Sequence, residues 1–183
     1  SQIINFPDAN LKAKLLSSST ASDVAKDSNG NNIKIDTNSD GEIQLSEALN
    51  VYKLDVSTFY PANVNDIVNV AGMENFTNLR TLDCSWNQIQ NLNLNSFTFL
   101  EEIAAHKNIL NAVNISWLTN LKKINFNFNQ LTSISIDNLT QLQALSIIDN
   151  DVTSLTFNNN PNLESVYCYQ NAITSLDFTG LPS

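Results

Sequence analysis

Residues 121–141 read LKKINFNFNQLTSISIDNLTQ. Leu121 opens the stretch, apolar side chains return at Ile124 and Phe126, Asn129 follows, and further apolar residues fall at Leu131, Ile134 and Ile136. The same frame of 21 residues fits on both sides with no insertion or deletion. LRTLDCSWNQIQNLNLNSFTF (79–99) and LEEIAAHKNILNAVNISWLTN (100–120) precede it; LQALSIIDNDVTSLTFNNNPN (142–162) and LESVYCYQNAITSLDFTGLPS (163–183) follow. A period held this strictly means a solenoid, because one copy cannot bury its apolar side alone and must stack on its neighbours.

The first residues of each copy alternate apolar and polar, as a half-buried strand does. Stacked copies therefore predict a parallel sheet with Leu82 and Cys84, Ile103 and Ala105, Ile124 and Phe126, Leu145 and Ile147, and Val166 and Cys168 pointing inward. A turn of 21 residues leaves no room for a long helix on the far side, so turns, 3₁₀ pieces or short strands are expected there. Asparagine is abundant, at 30 of 183 residues, and one Asn recurs in register: Asn87, Asn108, Asn129, Asn150 and Asn171. Turned inward, each amide would satisfy backbone groups freed where the strand bends away, in its own turn and the next. The expectation is a structural ladder.

Upstream, DTNSDGEIQLSE (36–47) matches the calcium-loop pattern D-x-[DN]-x-[DN]-G-x5-E at each required position. Asp36, Asn38 and Asp40 would supply side-chain oxygens, Glu42 its backbone carbonyl, Gln44 a direct or water-bridged contact, and Glu47 two closing oxygens, with Ile43 turned into the core. Only SEALN after the loop looks helical, whereas NIKID before it alternates like a strand. PDANLKAKLL, with Leu11, Leu15 and Leu16 on its apolar side, is the other helix candidate. A single loop with one flanking helix predicts a structural Ca²⁺ that pins a cap onto the solenoid, not a sensor. The chain divides into a cap (1–50), an irregular first repeat (51–76) and five regular repeats (77–183), forming one structural domain. Leu54, Val56, Ile67 and Val70 occupy the repeat frame in the irregular turn, and extra residues around Thr58 to Asn63, including Pro61, form a longer loop.

The frame LxxLxCxxNxLxxLxLxx resembles the leucine-rich repeat, in its short bacterial form. The stretches INFPDANLKAKLL and KDSNGNNIKIDTNSDGEIQLSEAL resemble the EF-hand-like N-terminal cap of secreted repeat proteins of the Bacteroidetes. The resemblance implies an α/β repeat solenoid with a concave parallel sheet and a small helical cap, on a secreted or cell-surface protein. A signal peptide would already have been removed, and the chain is expected to continue past Ser183.

Composition narrows the partner. The net charge of -9 argues against nucleic acid and anionic membrane. No stretch approaches 18 apolar residues, so no membrane span is expected. Outward strand positions vary while the frame holds, and several carry large side chains. Trp86, His106, Asn127, Phe128, Ile148, Tyr167 and Tyr169 are the candidate binding residues of the concave face. No catalytic constellation is found: the lone His106 points outward and Cys84 inward. Cys84 and Cys168 lie four turns apart, roughly 19 Å at about 4.8 Å per turn, too far to bridge. The expected function is non-catalytic recognition of a protein or glycan by a monomer, with contacts open to its uncapped C-terminal end. A structural spacer, stalk or adhesin segment of a longer exported protein is the alternative.

Overall fold

The computed structural model describes residues 2–59 and 66–181. The loop expected around Pro61 lies outside the described residues from Tyr60 to Asn65.

Near the N-terminus, Gln2 to Asn5 lie against the second half of the acidic loop: Ile3 bridges Gln44, and the Ile4 N–H donates to the Ile43 carbonyl at 2.9 Å. Helix α1, Ala9–Leu16, buries Leu11 and Leu15, while Leu16 is partly covered. Its start is fixed by Asp8, whose Oδ1 accepts from the N–H groups of Asn10 and Leu11, the capping geometry that short polar side chains favour. The other carboxylate oxygen accepts from Val68 and Asn69, so one side chain clasps the cap to the first turn of the solenoid. Burial pushes the Asp8 pKa up, but N–H donors from Asn69, Val68, Leu11 and Asn10 outweigh it and leave the carboxyl below the usual 3.8. Gly72 completes the joint: at φ +100° it lets Phe6 and the Asn5 carbonyl come closer than a Cβ would permit.

Strand β1, Ala25–Lys26, pairs antiparallel with β2, Lys53–Asp55, across the short helix α2, Leu45–Ala48. NIKID does not form the regular strand expected of it. Asn32 makes an isolated bridge to Lys26, and Ile33 donates to Ala25. Its burial does not alternate either: Asn32, Ile33 and Lys34 are all half-buried, and Ile35 and Asp36 are both buried as the chain enters the loop.

From β2 onward the sheet is parallel: β3 (Thr81–Asp83), β4 (Glu102–Ala104), β5 (Lys123–Asn125), β6 (Ala144–Ser146) and β7 (Ser165–Tyr167) follow in chain order. Leu54, Leu82, Ile103, Ile124, Leu145 and Val166 are register partners and form one inward row. The hydrogen bonding runs on past the strands, with Cys84 donating to Ala104, Ala105 to Asn125, Phe126 to Ser146 and Ile147 to Tyr167. The second inward row, Cys84, Ala105, Phe126 and Ile147, is buried, whereas Val166 and Cys168 in the final turn are only partly covered. Both cysteines are free thiols. Among the described residues the convex side consists of turns, with one 3₁₀ helix at Met73–Asn75 before the regular repeats.

Asn87, Asn108, Asn129 and Asn150 are buried along the inner edge of this stack, and Asn171 is less so. Each amide serves its own turn and the preceding one, not the next as expected. Asn129 Nδ2 donates to Phe126 in its own turn and to Ala105 in the turn before, while its Oδ1 accepts from Leu110, also in the turn before. Asn108, Asn150 and Asn171 repeat the arrangement. Position nine of each repeat therefore looks backward along the solenoid.

Candidate functional site

The residue before each ladder Asn takes a left-handed backbone. Trp86, Lys107, Phe128, Asp149 and Gln170 all have φ between 55 and 58°. None is glycine, although this region is uncommon for non-glycine residues and an outlier for bulky ones. The bend is enforced from both sides. The N–H groups of Trp86, Lys107, Phe128 and Asp149 donate to the next turn, and the amide of the Asn that follows each of them donates back to the carbonyl three residues before that Asn. Geometry of this kind costs roughly 1–3 kcal/mol per residue and persists only where its surroundings over-determine it.

The strained column brings its side chains to the rim of a groove of about 490 Å³, lined by Trp86, Lys107, Phe128, Asp149, Asp66 and Gln130 over the Asn ladder. Two aromatic rings clamp a lysine there: Lys107 Nζ lies 3.6 Å from the centre of the Phe128 ring and 5.5 Å from that of Trp86. Both distances fall within the reach of a cation–π contact. Sequence reasoning named Trp86 and Phe128 but missed Lys107, because the clamp depends on the left-handed turn and no motif announces that.

His106 is half-buried and lies over Ser85 of the preceding turn. Its Nδ1 lies 2.8 Å from Ser85 Oγ, and its ring meets Trp86 edge-on at 6.4 Å. Ser85 beneath it is only 1% exposed. The pair ties β3's turn to β4's. Burial pushes the His106 pKa below 6.5, with Lys107 adding to the shift and Asp83 opposing it. A depressed histidine contributes stability that is present above the unfolded value and lost as pH falls through the folded one. The melting temperature of the wild-type chain is therefore expected to fall as the pH is lowered through about 6.5 and below. In His106→Gln that part of the acid slope should be absent; identical slopes for the two proteins would show that His106 is not responsible.

Asn127 is tied into the sheet, its Oδ1 accepting from Ser146 Oγ and the Ile148 N–H at 2.7 Å each. Ile148 is half-buried, whereas Tyr167 and Tyr169 are 53% and 61% exposed. The predicted binding residues thus separate into a clamp (Trp86, Phe128), a supporting layer (His106, Asn127, Ile148) and two open rings near the last strand.

In the acidic loop, Asp36, Gln44 and Glu47 are buried and Ile43 is fully so. Asp36 accepts from the N–H groups of Asp40 and Gly41, with Gly41 at φ +78° making the sharp turn. Glu47 accepts from Thr37 and Gln44 across the loop. The Glu42 N–H donating to Asp40 holds that carboxyl below 3.8. The Glu42 carboxylate is paired with Lys12 at 2.7 Å, which leaves its backbone carbonyl as its ion donor. Among the described residues no three His, Cys, Asp or Glu side chains gather tightly enough to hold an ion alone. The amides of Asn38 and Gln44 are thus needed, and both now direct nitrogen at Asp40 Oδ2, at 3.0 and 2.9 Å. Turning each amide to present oxygen would give up the bonds those oxygens now accept, to Asn38 from the Asp40 N–H and to Gln44 from Asn38 Nδ2. With that turn the donor set would be all hard oxygen at calcium-loop spacing, a set of the kind the ion takes.

No family model matches the sequence, and no curated protein matches it. Among solved structures the chain is similar to an internalin (InlF) from Listeria monocytogenes, with a TM-score of 0.72 and 22% identity over 93% of this chain and 45% of that one. It is also similar to the functional domain of InlJ from Listeria monocytogenes, which includes a cysteine ladder (TM-score 0.64, 22% identity, 96% and 39% covered). A third similar structure is a leucine-rich-repeat protein of Leptospira interrogans (TM-score 0.62, 22% identity, 73% and 38% covered). The chain spans less than half the length of these three structures. They show the fold: a leucine-rich-repeat solenoid with a parallel sheet and little helix.

Proposed function

We propose that the chain is a non-catalytic recognition module for a protein or glycan, acting outside the cell or on its surface, with a calcium ion stapling its cap. The strained column is the observation that carries this. Five turns in succession hold non-glycine side chains where glycine would relieve the backbone, and two of them are aromatic. Packing does not require Phe128, which stays 37% exposed on a groove rim. Retaining such side chains at that cost fits a surface kept for contact. Asp36, Asn38, Asp40, Gln44 and Glu47, with the Glu42 carbonyl, would hold the ion; it supplies charge neutralisation and rigidity, and no chemistry. The solved structures with this fold include internalins. Among the described residues no helix is long and apolar enough to cross a membrane.

The test is a triple variant, Phe128→Ser, Tyr167→Ser and Tyr169→Ser, screened with the wild type on a glycan array and in pull-downs of surface proteins. A recognition module loses its ligand by tenfold or more while its melting temperature moves by only a few degrees. A ligand bound equally by both proteins, or none for the wild type, would instead leave a spacer or stalk.

A further inference from the structure

Building on recognition through this rim, we propose that the groove takes an extended basic segment of a partner protein, bearing lysine or arginine side chains. Lys107 holds the place of one of them. The ring pair is already shown to accept an ammonium group, since Lys107 Nζ sits 3.6 Å from the Phe128 centroid and 5.5 Å from the Trp86 centroid. A lysine reaching from outside finds the same two faces, with Asp149 on the same rim.

The neighbouring strand surface favours a cation as well. Asp55 and Asp83 are register partners on adjacent parallel strands, so two carboxylates face the concave side next to one another. Like charges placed directly opposite destabilise a sheet unless something neutralises them. Among the described residues neither these two nor Asp149 is in an ion pair. The cations of this face do not relieve them: Lys123 is taken by Glu102, Lys107 by the rings, and Lys53 closes no ion pair. The chain as a whole carries 18 acidic against 9 basic side chains, a field that draws a basic partner in. A neutral glycan would leave the Asp pair uncompensated.

The experiment measures binding of acetylated, amidated octa-lysine and octa-arginine peptides to the whole chain by anisotropy, with octa-glutamate and an array of neutral oligosaccharides alongside. Thermal melts confirm that every variant is folded. Saturable binding of the basic peptides is expected, weakening with salt. Asp83→Asn with Asp149→Asn should weaken it tenfold or more, and so should Phe128→Ala. Lys107→Gln, which empties the clamp, should tighten binding severalfold. Glu164→Gln with Asp177→Asn changes the net charge equally at other exposed positions and should stay within twofold of wild type. Equal weakening by that control pair, weaker binding by Lys107→Gln, or no peptide binding overturns the proposal. If instead a neutral oligosaccharide or an acidic protein binds and is lost in the Phe128, Tyr167 and Tyr169 triple variant, recognition stands and the basic partner falls.

Discussion

Asn129→Ala is expected to destabilise the solenoid by about 3–4 kcal/mol, with the fold retained. The amide makes three buried bonds, to the carbonyls of Phe126 and Ala105 and from the N–H of Leu110. Alanine leaves all three backbone groups without a partner, and each stranded buried group costs roughly 1–3 kcal/mol before local relaxation or entering water reduces the total. For a domain of this size about 2–4 °C accompanies each kcal/mol, so the melting midpoint should drop by roughly 10 °C. Asn129→Asp is the informative companion: it keeps the acceptor for Leu110 but loses both donors, and an ionised carboxylate would face two carbonyls. It should be at least as damaging. A change below about 1 kcal/mol in Asn129→Ala, measured by urea denaturation, would show that the column is not a load-sharing ladder.

The second large effect concerns the cap. Removing Ca²⁺ with a chelator is expected to lower the melting temperature by several degrees. A ligand that binds only the folded state, present at 100 times its dissociation constant, adds about 2.7 kcal/mol. Asp36→Asn with Glu47→Gln should abolish the calcium response while leaving the repeats folded. The reason lies in where the loop sits. Its residue Ile43 is fully buried and anchors Ile4, and Lys12 of α1 reaches Glu42, so the loop joins the helix to the N-terminal segment. A melt unmoved by chelator and by added calcium would make the loop a purely hydrogen-bonded turn.

Much of the architecture was legible because a period of 21 constrains every inward position at once. The rows beginning at Leu82 and Cys84, the asparagine column and the strand registers all follow from it. Features that depend on direction or on distant chain segments were not legible. The pattern placed Asn129 in the core but could not say that its amide reaches toward Ala105 and not toward Ile147. The left-handed turn at Phe128 carries none of the Gly or Asn signals that mark such conformations in isolation, because the stacked turns impose it. The Asp8 clasp joins residues 60 and 61 positions apart, beyond the reach of any local motif. NIKID misled because its apolar and polar residues alternate while its burial does not: Ile33 and Lys34 are both half-buried, and Ile35 and Asp36 are both buried.

The backward reach of each asparagine gives the coil a polarity that its near-identical repeats conceal. Every added ring docks onto a finished one and brings its own fastener, so the template for growth always lies on the side of the cap. Asn87 shows where the sequence of fasteners starts: its amide bonds Val56 and accepts from Ile67, within the one irregular turn. Removing a ring from the far end therefore strands an N–H and a carbonyl in the ring just before it, whereas a fault near Asp8 or the acidic loop removes the foundation from all of them.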